Sequence, residues 1–473
     1  MTTVTPLMTR LLPAVLAALS ACATYSAAPL PEDTLATSLQ VPSQDALRVL
    51  ISELPNPLQA SVVLNFDDGL GPDEAAVLAV VLNPYLKALR AGRGVSSAEL
   101  LIAGLLPEPS LALGADVPTG GITTGAVTGY VAGLDWAISD LIGRSARRDV
   151  AQAEAASLDL DILWQESLVA GRVRGIVCSL GALREARRFV DGQIAIGEAD
   201  VTRVEAAVGA GQLTAMELAA QETSLATSRA SRVQLDAEDA AMTLELATAI
   251  GLPPGIDIEV QVVEGFQGTS PRALPELLGG LEARRLDLMA LRRGYESQEE
   301  RVRVAILGQI PRVSLGPVFN RDTGDLQTLG LGLAIDLPIF GRSKGEIALQ
   351  RATRTAMFAE YTARVNEARA SIASAVGRFD ALRLQLKVLR DQQALQESLV
   401  ARLRAGLDQG YVDVLTLNQT QRDLFDLQIA TTRAVGDLQA AAVLIEVISG
   451  QPGSLTPPQT DERGLKIPGS EQI

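Results

Sequence analysis

The chain has 473 residues, with 41 Lys and Arg against 56 Asp and Glu, no histidine and two cysteines. A net charge of −15 argues against nucleic acid as a partner, and the histidine and cysteine counts leave no ordinary zinc site and no imidazole general base. Hydrophobic residues make up 47% of the chain but aromatic residues only 3%, so the apolar mass is Ala, Leu and Val, the composition of long helices.

Residues 1–21 read as a secretory signal: Arg10, then an apolar run from Leu11 to Leu19 that is too brief to span a bilayer. The run ends in Leu19-Ser20-Ala21-Cys22, which resembles the bacterial lipobox, where the cysteine becomes the lipidated first residue of the mature protein. Cleavage there removes Arg10 and leaves 40 basic residues (41 less one) against 56 acidic. Ala23, in place of Asp, favours the outer membrane in that class of lipoproteins. Cys178 is then without a partner for an intramolecular disulfide, and no cofactor is expected beyond the lipid on Cys22. The mature sequence holds no apolar run of about eighteen residues. Any membrane span it makes has to be β.

Residues 22–66 contain Pro and Ser without periodicity and read as an extended arm. A first unit, 67–251, starts with helix at Pro72-Asp73-Glu74, is interrupted at Asn83-Pro84, and resumes toward Leu106, where Pro107 and Pro109 close it. A β-hairpin is predicted at about 109–140. Leu111, Leu113, Ala115 and Val117 alternate with Ser110, Ala112, Gly114 and Asp116; after a Gly/Thr-rich turn, Tyr130, Ala132, Leu134, Trp136 and Ile138 alternate with Gly129, Val131, Gly133, Asp135 and Ala137. From 144 to 251 no proline intervenes before Pro253, and a break at Val208–Gly211 divides a rising helix of about 60 residues from a returning one of about 40. Gly171, Gly175, Gly181, Gly192 and Gly197 inside the rising helix predict bends or close helix contacts, since each costs about 1 kcal/mol relative to Ala.

A second unit, 252–450, repeats this order. Its hairpin, about 311–340, is the cleaner one: Leu329, Leu331, Leu333, Ile335 and Leu337 oppose Gly330, Gly332, Ala334 and Asp336. A helix pair at about 342–450 follows, broken between Ala405 and Gly410, and its return helix carries a seam at Val414, Leu417, Leu424, Val435, Leu438, Ala442 and Ile445 with coiled-coil spacing. A tail, 451–473, ends the chain.

The two units are copies. Residues 83–114 laid over 285–316 without a gap match at 10 positions of 32, among them Leu89/Leu291, Arg90/Arg292, Gly92/Gly294, Pro109/Pro311 and Gly114/Gly316. Gly143-Arg144-Ser145 then corresponds to Gly341-Arg342-Ser343, and Gly211–Gly251 to Gly410–Gly450. Each copy is too long for a solenoid repeat, and two pseudo-equivalent halves point to a ring. Strands with one apolar face and one small, polar face suit lipid and lumen in a membrane barrel; a half-buried hairpin on a soluble core has the same alternation.

The order of elements, with Asn83-Pro84-Tyr85-Leu86, Ala103-Gly104-Leu105-Leu106-Pro107-Glu108-Pro109-Ser110-Leu111, Leu337-Pro338-Ile339-Phe340-Gly341 and the two segments Gly211–Leu218 and Gly410–Leu417, resembles the TolC family of outer-membrane efflux channels in its lipid-anchored branch. The likeness runs from about residue 68 to 451. It implies a mainly α fold with membrane β: a homotrimer whose duplicated hairpins close a 12-stranded β-barrel, continued by a coiled-coil α-barrel through the periplasm. It implies a periplasmic adaptor protein and an inner-membrane pump as partners, besides outer-membrane lipid. The helix tips would meet the adaptor, through Gly211 and Gln212 in copy one and Gly410, Tyr411 and Asp413 in copy two. Some relatives carry two acids around Val-Leu at the second tip; here Asp413 is present and Thr416 replaces the second. Asp135 and Asp336, on the small-residue faces, would form carboxylate rings in the lumen, which favour cations.

A lipid-anchored periplasmic adaptor or a structural coiled-coil lipoprotein is the competing reading. An adaptor would show one helical hairpin rather than two, and a spacer would not need alternating strands. An enzyme would need a catalytic constellation; the Gly-rich turn from Pro118 to Gly125 lacks phosphate-loop spacing.

Overall fold

The computed structural model describes residues 25–38, 40, 49, 69–121, 124–261, 271–337, 339–409, 411–412 and 414–451. The chain divides into two compact units, Met1–Pro42 and Ser43–Ile473. In the first, residues 25–36 are exposed and a short helix, α1 (Thr34–Ser38), opens with the Thr34 hydroxyl donating to the Pro31 carbonyl at 2.7 Å.

The second unit runs through one series of elements twice. Helices α2 (Pro72–Leu82) and α3 (Pro84–Gly104), the hairpin β1 (Ser110–Asp116) and β2 (Gly129–Ala137), and the long pair α4 (Arg144–Gly209) and α5 (Ala215–Ile250) make the first pass. Helices α6 (Leu274–Leu278), α7 (Leu281–Arg284) and α8 (Leu286–Leu307), strands β3 (Arg312–Arg321) and β4 (Gln327–Asp336), and the pair α9 (Arg342–Asp408) and α10 (Val414–Ser449) make the second. The rising helices α4 and α9 have 66 and 67 residues, each about 100 Å long at the α-helical rise. No single helix among the described residues is long and apolar enough to cross a membrane.

Helix α4 is continuous through its glycines, several of which lie in close helix contacts. Val447 and Phe425 of α10 lie over Gly171 and Gly192. It packs along α5 and α10, while α10 packs in turn on α9, giving the order α5–α4–α10–α9 in the half farther from the strands. Toward the strands, α3 and α8 take the places of the return helices. The changeover is tight: the Asn83 side chain accepts from the Leu86 amide at 3.2 Å and donates to the Ala249 carbonyl at 2.8 Å, stacking α3 on the end of α5. In the second copy Gly450, at the end of α10, lies close against the Arg284 backbone.

Each copy buries its own apolar cluster near this level. Leu82, Val177, Leu180, Leu246 and Ile250 belong to the first, and Leu288, Ile372, Phe379, Leu438 and Ile445 to the second. Of the α10 seam, Leu417, Leu438, Ala442 and Ile445 are buried, and Val414, Leu424 and Val435 are half-buried.

The two hairpins join into one antiparallel sheet in the order β1-β2-β3-β4. Strands β1 and β4 are its edges, and neither has an outer partner among the described residues.

Candidate functional site: sheet faces and helix tips

The cross-strand register decides which side chains share a face, because directly opposed residues in an antiparallel pair project to the same side. Leu111 opposes Leu134 and Leu113 opposes Ala132; Ala132 opposes Phe319, Trp136 opposes Leu315, and Phe319 opposes Leu329. Leu331, Leu333 and Ile335 continue the same face against Pro317, Leu315 and Val313. One side of all four strands is therefore apolar, and it is uncovered: Leu113 is 74% exposed, Leu329 78% and Leu331 71%. A soluble core packed on this sheet would have buried these leucines. The opposite side carries small and polar residues, among them Ser110, Gly114, Asp116, Gly133, Asp135, Ser314, Gly316, Asn320, Thr328, Gly332, Ala334 and Asp336, together with Arg312 and with Val131 and Val318 as the larger apolar members.

Asp135 and Asp336 both lie on this small, polar side and both are exposed. They occupy different levels. Asp135 stands opposite Ser110, while Asp336 is at the helix end of β4, opposite Arg312. The level of Asp135 falls at Gly316, whose added Cβ would meet the Leu134 carbonyl oxygen at 1.6 Å, so the two acids are separated by about 13 Å along the strands. Arg312 also reaches Asp140 at 3.5 Å. Arg312, opposite Asp336, and a third acid, Asp116, on the same face were not singled out from the sequence: Asp116 was legible in the β1 alternation, but the placing of Arg312 across from Asp336 depends on register between strands.

At the first tip, α4 ends in a Schellman turn: the Gly211 amide donates to the Val208 carbonyl at 2.9 Å and the Gln212 amide to the Ala207 carbonyl at 2.8 Å, with Gly211 at φ 72°. Helix α5 then starts on a capping box. The Thr214 hydroxyl accepts from the Glu217 amide at 3.3 Å, and the Glu217 carboxylate accepts from the Thr214 amide at 2.6 Å and hydroxyl at 2.8 Å. Those bonds hold the Glu217 carboxyl below its usual range. At the second tip Tyr411 is 83% exposed and its amide donates to the Gly406 carbonyl at 2.9 Å. Gly410, Asp413 and Cys22 lie outside the described residues.

Between the first tip and the apolar clusters, α4, α5 and α10 meet over a polar junction that the sequence did not reveal. Asp200, Gln221, Ser228 and Asn418 are buried there around a cavity of about 20 Å³. Asp200 pairs with Arg203 at 2.5 Å, and Arg422 donates to the Ser224 hydroxyl. Burial pushes the Asp200 carboxyl above its usual range against the pull of Arg203 and Arg422.

Residues 277–451 match the family model described as outer membrane efflux protein. The chain is 25% identical over 324 residues to the pyoverdine export outer membrane protein OpmQ of Pseudomonas putida, covering 65% of this chain and 67% of that one. Among solved structures, the CmeC outer membrane channel of Campylobacter jejuni superposes with a TM-score of 0.65 at 15% identity, over 84% of this chain and 92% of that one. The open state of the MtrE outer membrane channel of Neisseria gonorrhoeae gives 0.64 at 16% identity, over 85% and 97%. At such identities the structural matches speak for the fold.

Proposed function

We propose that this chain, a member of the outer membrane efflux protein family and thus an outer-membrane channel subunit of a tripartite efflux system, works as a homotrimer. One four-stranded sheet is too narrow to enclose a water-filled lumen, and its two open edges are templates for further pairing. Three copies close twelve strands, turn the exposed leucines to lipid and the glycines, serines and aspartates to water, and bring twelve long helices into a tunnel beneath.

The channel is a passive conduit, opened at its helix tips by a periplasmic adaptor that links it to an inner-membrane pump. Gly211, Gln212, Gly410, Tyr411 and Asp413 are the adaptor-facing residues in this reading. Cys22 carries the lipid that holds the mature N-terminus at the outer membrane. Asp135 and Asp116 bias the lumen toward cations, and Asp336 contributes less because Arg312 stands beside it.

The observation that carries this reading is the uncovered apolar face running across all four strands. Reconstituting the purified mature protein in planar bilayers tests it. Discrete, ion-conducting steps are expected; protein that stays in solution and leaves the bilayer silent would refute it.

A further inference from the structure

We infer that each chain carries a ligand pocket just below the sheet that takes an amphipathic zwitterion, a molecule with a carboxylate, an ammonium group and an apolar body. A cavity of about 520 Å³ lies over α8 between the opening turns of α4 and α9, within the size range of small-molecule sites. Val304, Ala305 and Gly308 line it from α8, together with Arg301; α4 contributes Arg147 and α9 contributes Glu346. The place of this cavity in a lumen rests on the channel proposed above, whereas its ligand chemistry rests on the lining alone.

Contacts at the end of the sheet fix which way the cavity faces. Arg312 stands opposite Asp336 on the small, polar face and reaches the Asp140 carboxylate at 3.5 Å. The Arg147 guanidinium donates to the carbonyl of the same Asp140 at 2.8 Å. Arg147 and the cavity it lines are thereby on the polar side, toward the lumen of a closed barrel. Helix α8 packs on both α4 and α9 of its own chain, so the lining is complete within one copy.

Three charged side chains line the cavity, and one of them is neutralised. Arg301 pairs with Glu154, which also accepts from the Ser297 hydroxyl at 3.1 Å. Arg147 has no carboxylate partner among the described residues, the Asp140 carboxylate being turned to Arg312. On the facing wall Glu346 accepts from the Gln350 side-chain amide at 2.8 Å and has no cationic partner among the described residues. A cation on α4 and an anion on α9 thus stand on opposite walls, with Val304 and Ala305 between them. A ligand of one sign would satisfy one wall and meet a like charge on the other. A zwitterion satisfies both, and its apolar body covers the two aliphatic side chains. The duplication does not repeat this lining: Arg301 and Gly308 correspond to Glu99 and Leu106 in the first copy.

Saturation-transfer NMR on the mature protein, purified in detergent from outer membranes, tests the assignment, with empty micelles as the blank. The probe is the dipeptide phenylalanyl-leucine, compared with its N-acetylated and C-amidated forms. The free dipeptide is expected to bind saturably, and each capped form about fivefold more weakly, the upper range for an ion pair open to water. Arg147→Gln should erase the difference between the free and the C-amidated dipeptide and keep the difference from the N-acetylated one. Glu346→Gln should do the reverse, a pattern that a general loosening of the fold would not produce. Arg148→Gln, one residue along and outside the cavity, should leave all three affinities unchanged. No saturable binding by the wild type, equal binding of the three probes, or discrimination that survives both Gln variants would overturn the pocket. Bilayer conductance of the same preparation separates this result from the channel reading. A conducting protein that does not bind overturns the pocket alone, a silent protein that binds with the expected discrimination supports the pocket and overturns the channel, and a silent protein that does not bind overturns both.

Discussion

Single residues carry three consequences that can be measured. Gly316 has no room for a side chain, because the Leu134 carbonyl occupies the place of its Cβ, whereas Gly330 faces open space. Gly316→Val should therefore abolish the heat-labile oligomer and membrane insertion, while Gly330→Ala leaves both intact, as read by unboiled gels of outer-membrane extracts. Asp200 gives a pH effect of defined sign. Burial raises its pKa, so the folded chain holds that proton more tightly than the unfolded chain. The resulting penalty is absent below the ordinary carboxylate range, and develops as pH rises through the folded value. Asp200→Asn is expected to raise the melting midpoint at about pH 7.5 and to change it little near pH 3, below the usual carboxylate pKa. In the lumen, Asp135→Asn should lower cation preference in bilayer recordings more than Asp336→Asn does, since a basic residue, Arg312, stands opposite the second acid in the strand register. Equal effects would remove that account of selectivity.

At the scale of elements, most of the architecture was legible because its periodicities are strong and uninterrupted. Leu329 to Leu337 alternates without exception, and the absence of proline from 144 to 251 and from 342 to 450 allows two helix pairs, whose tips are marked by Gly211 and Gly410. What the sequence withheld depends on contacts between distant segments. The union of the hairpins through β2 and β3 and the burial of Asp200 beside Asn418 join residues from different repeats, and the placing of Arg312 opposite Asp336 depends on the strand register within the second hairpin. The glycines of α4 show the same limit: their number predicted bends or close contacts, and which residues make the contacts, Val447 over Gly171 and Phe425 over Gly192, depends on the distant α10. The lipid-facing assignment of the sheet leads to an element-scale prediction. Leu331→Lys places a charge on the apolar face and should cost about 2–4 kcal/mol if it sits near the bilayer midplane, seen as loss of inserted, protease-resistant protein. Thr328→Lys, on the opposite face, should be tolerated.

For the whole molecule, the duplication explains why one chain can be a modular third of a ring. Each copy supplies a hairpin and a helix pair with its own apolar cluster, so a chain brings two nearly equivalent sectors already joined. Its free surfaces, the edges of β1 and β4 and the outward sides of α5 and α9, are those that another copy would cover. The central claim is that the working unit is a closed trimer continuing from barrel to tunnel. The most direct measurement is to extract the mature protein from outer membranes in detergent, determine its mass, compare boiled with unboiled gels, and image it by negative stain. The account predicts a heat-labile trimer with a long tubular tail on a short membrane-embedded head. A monomer recovered only from the soluble periplasmic fraction would contradict it.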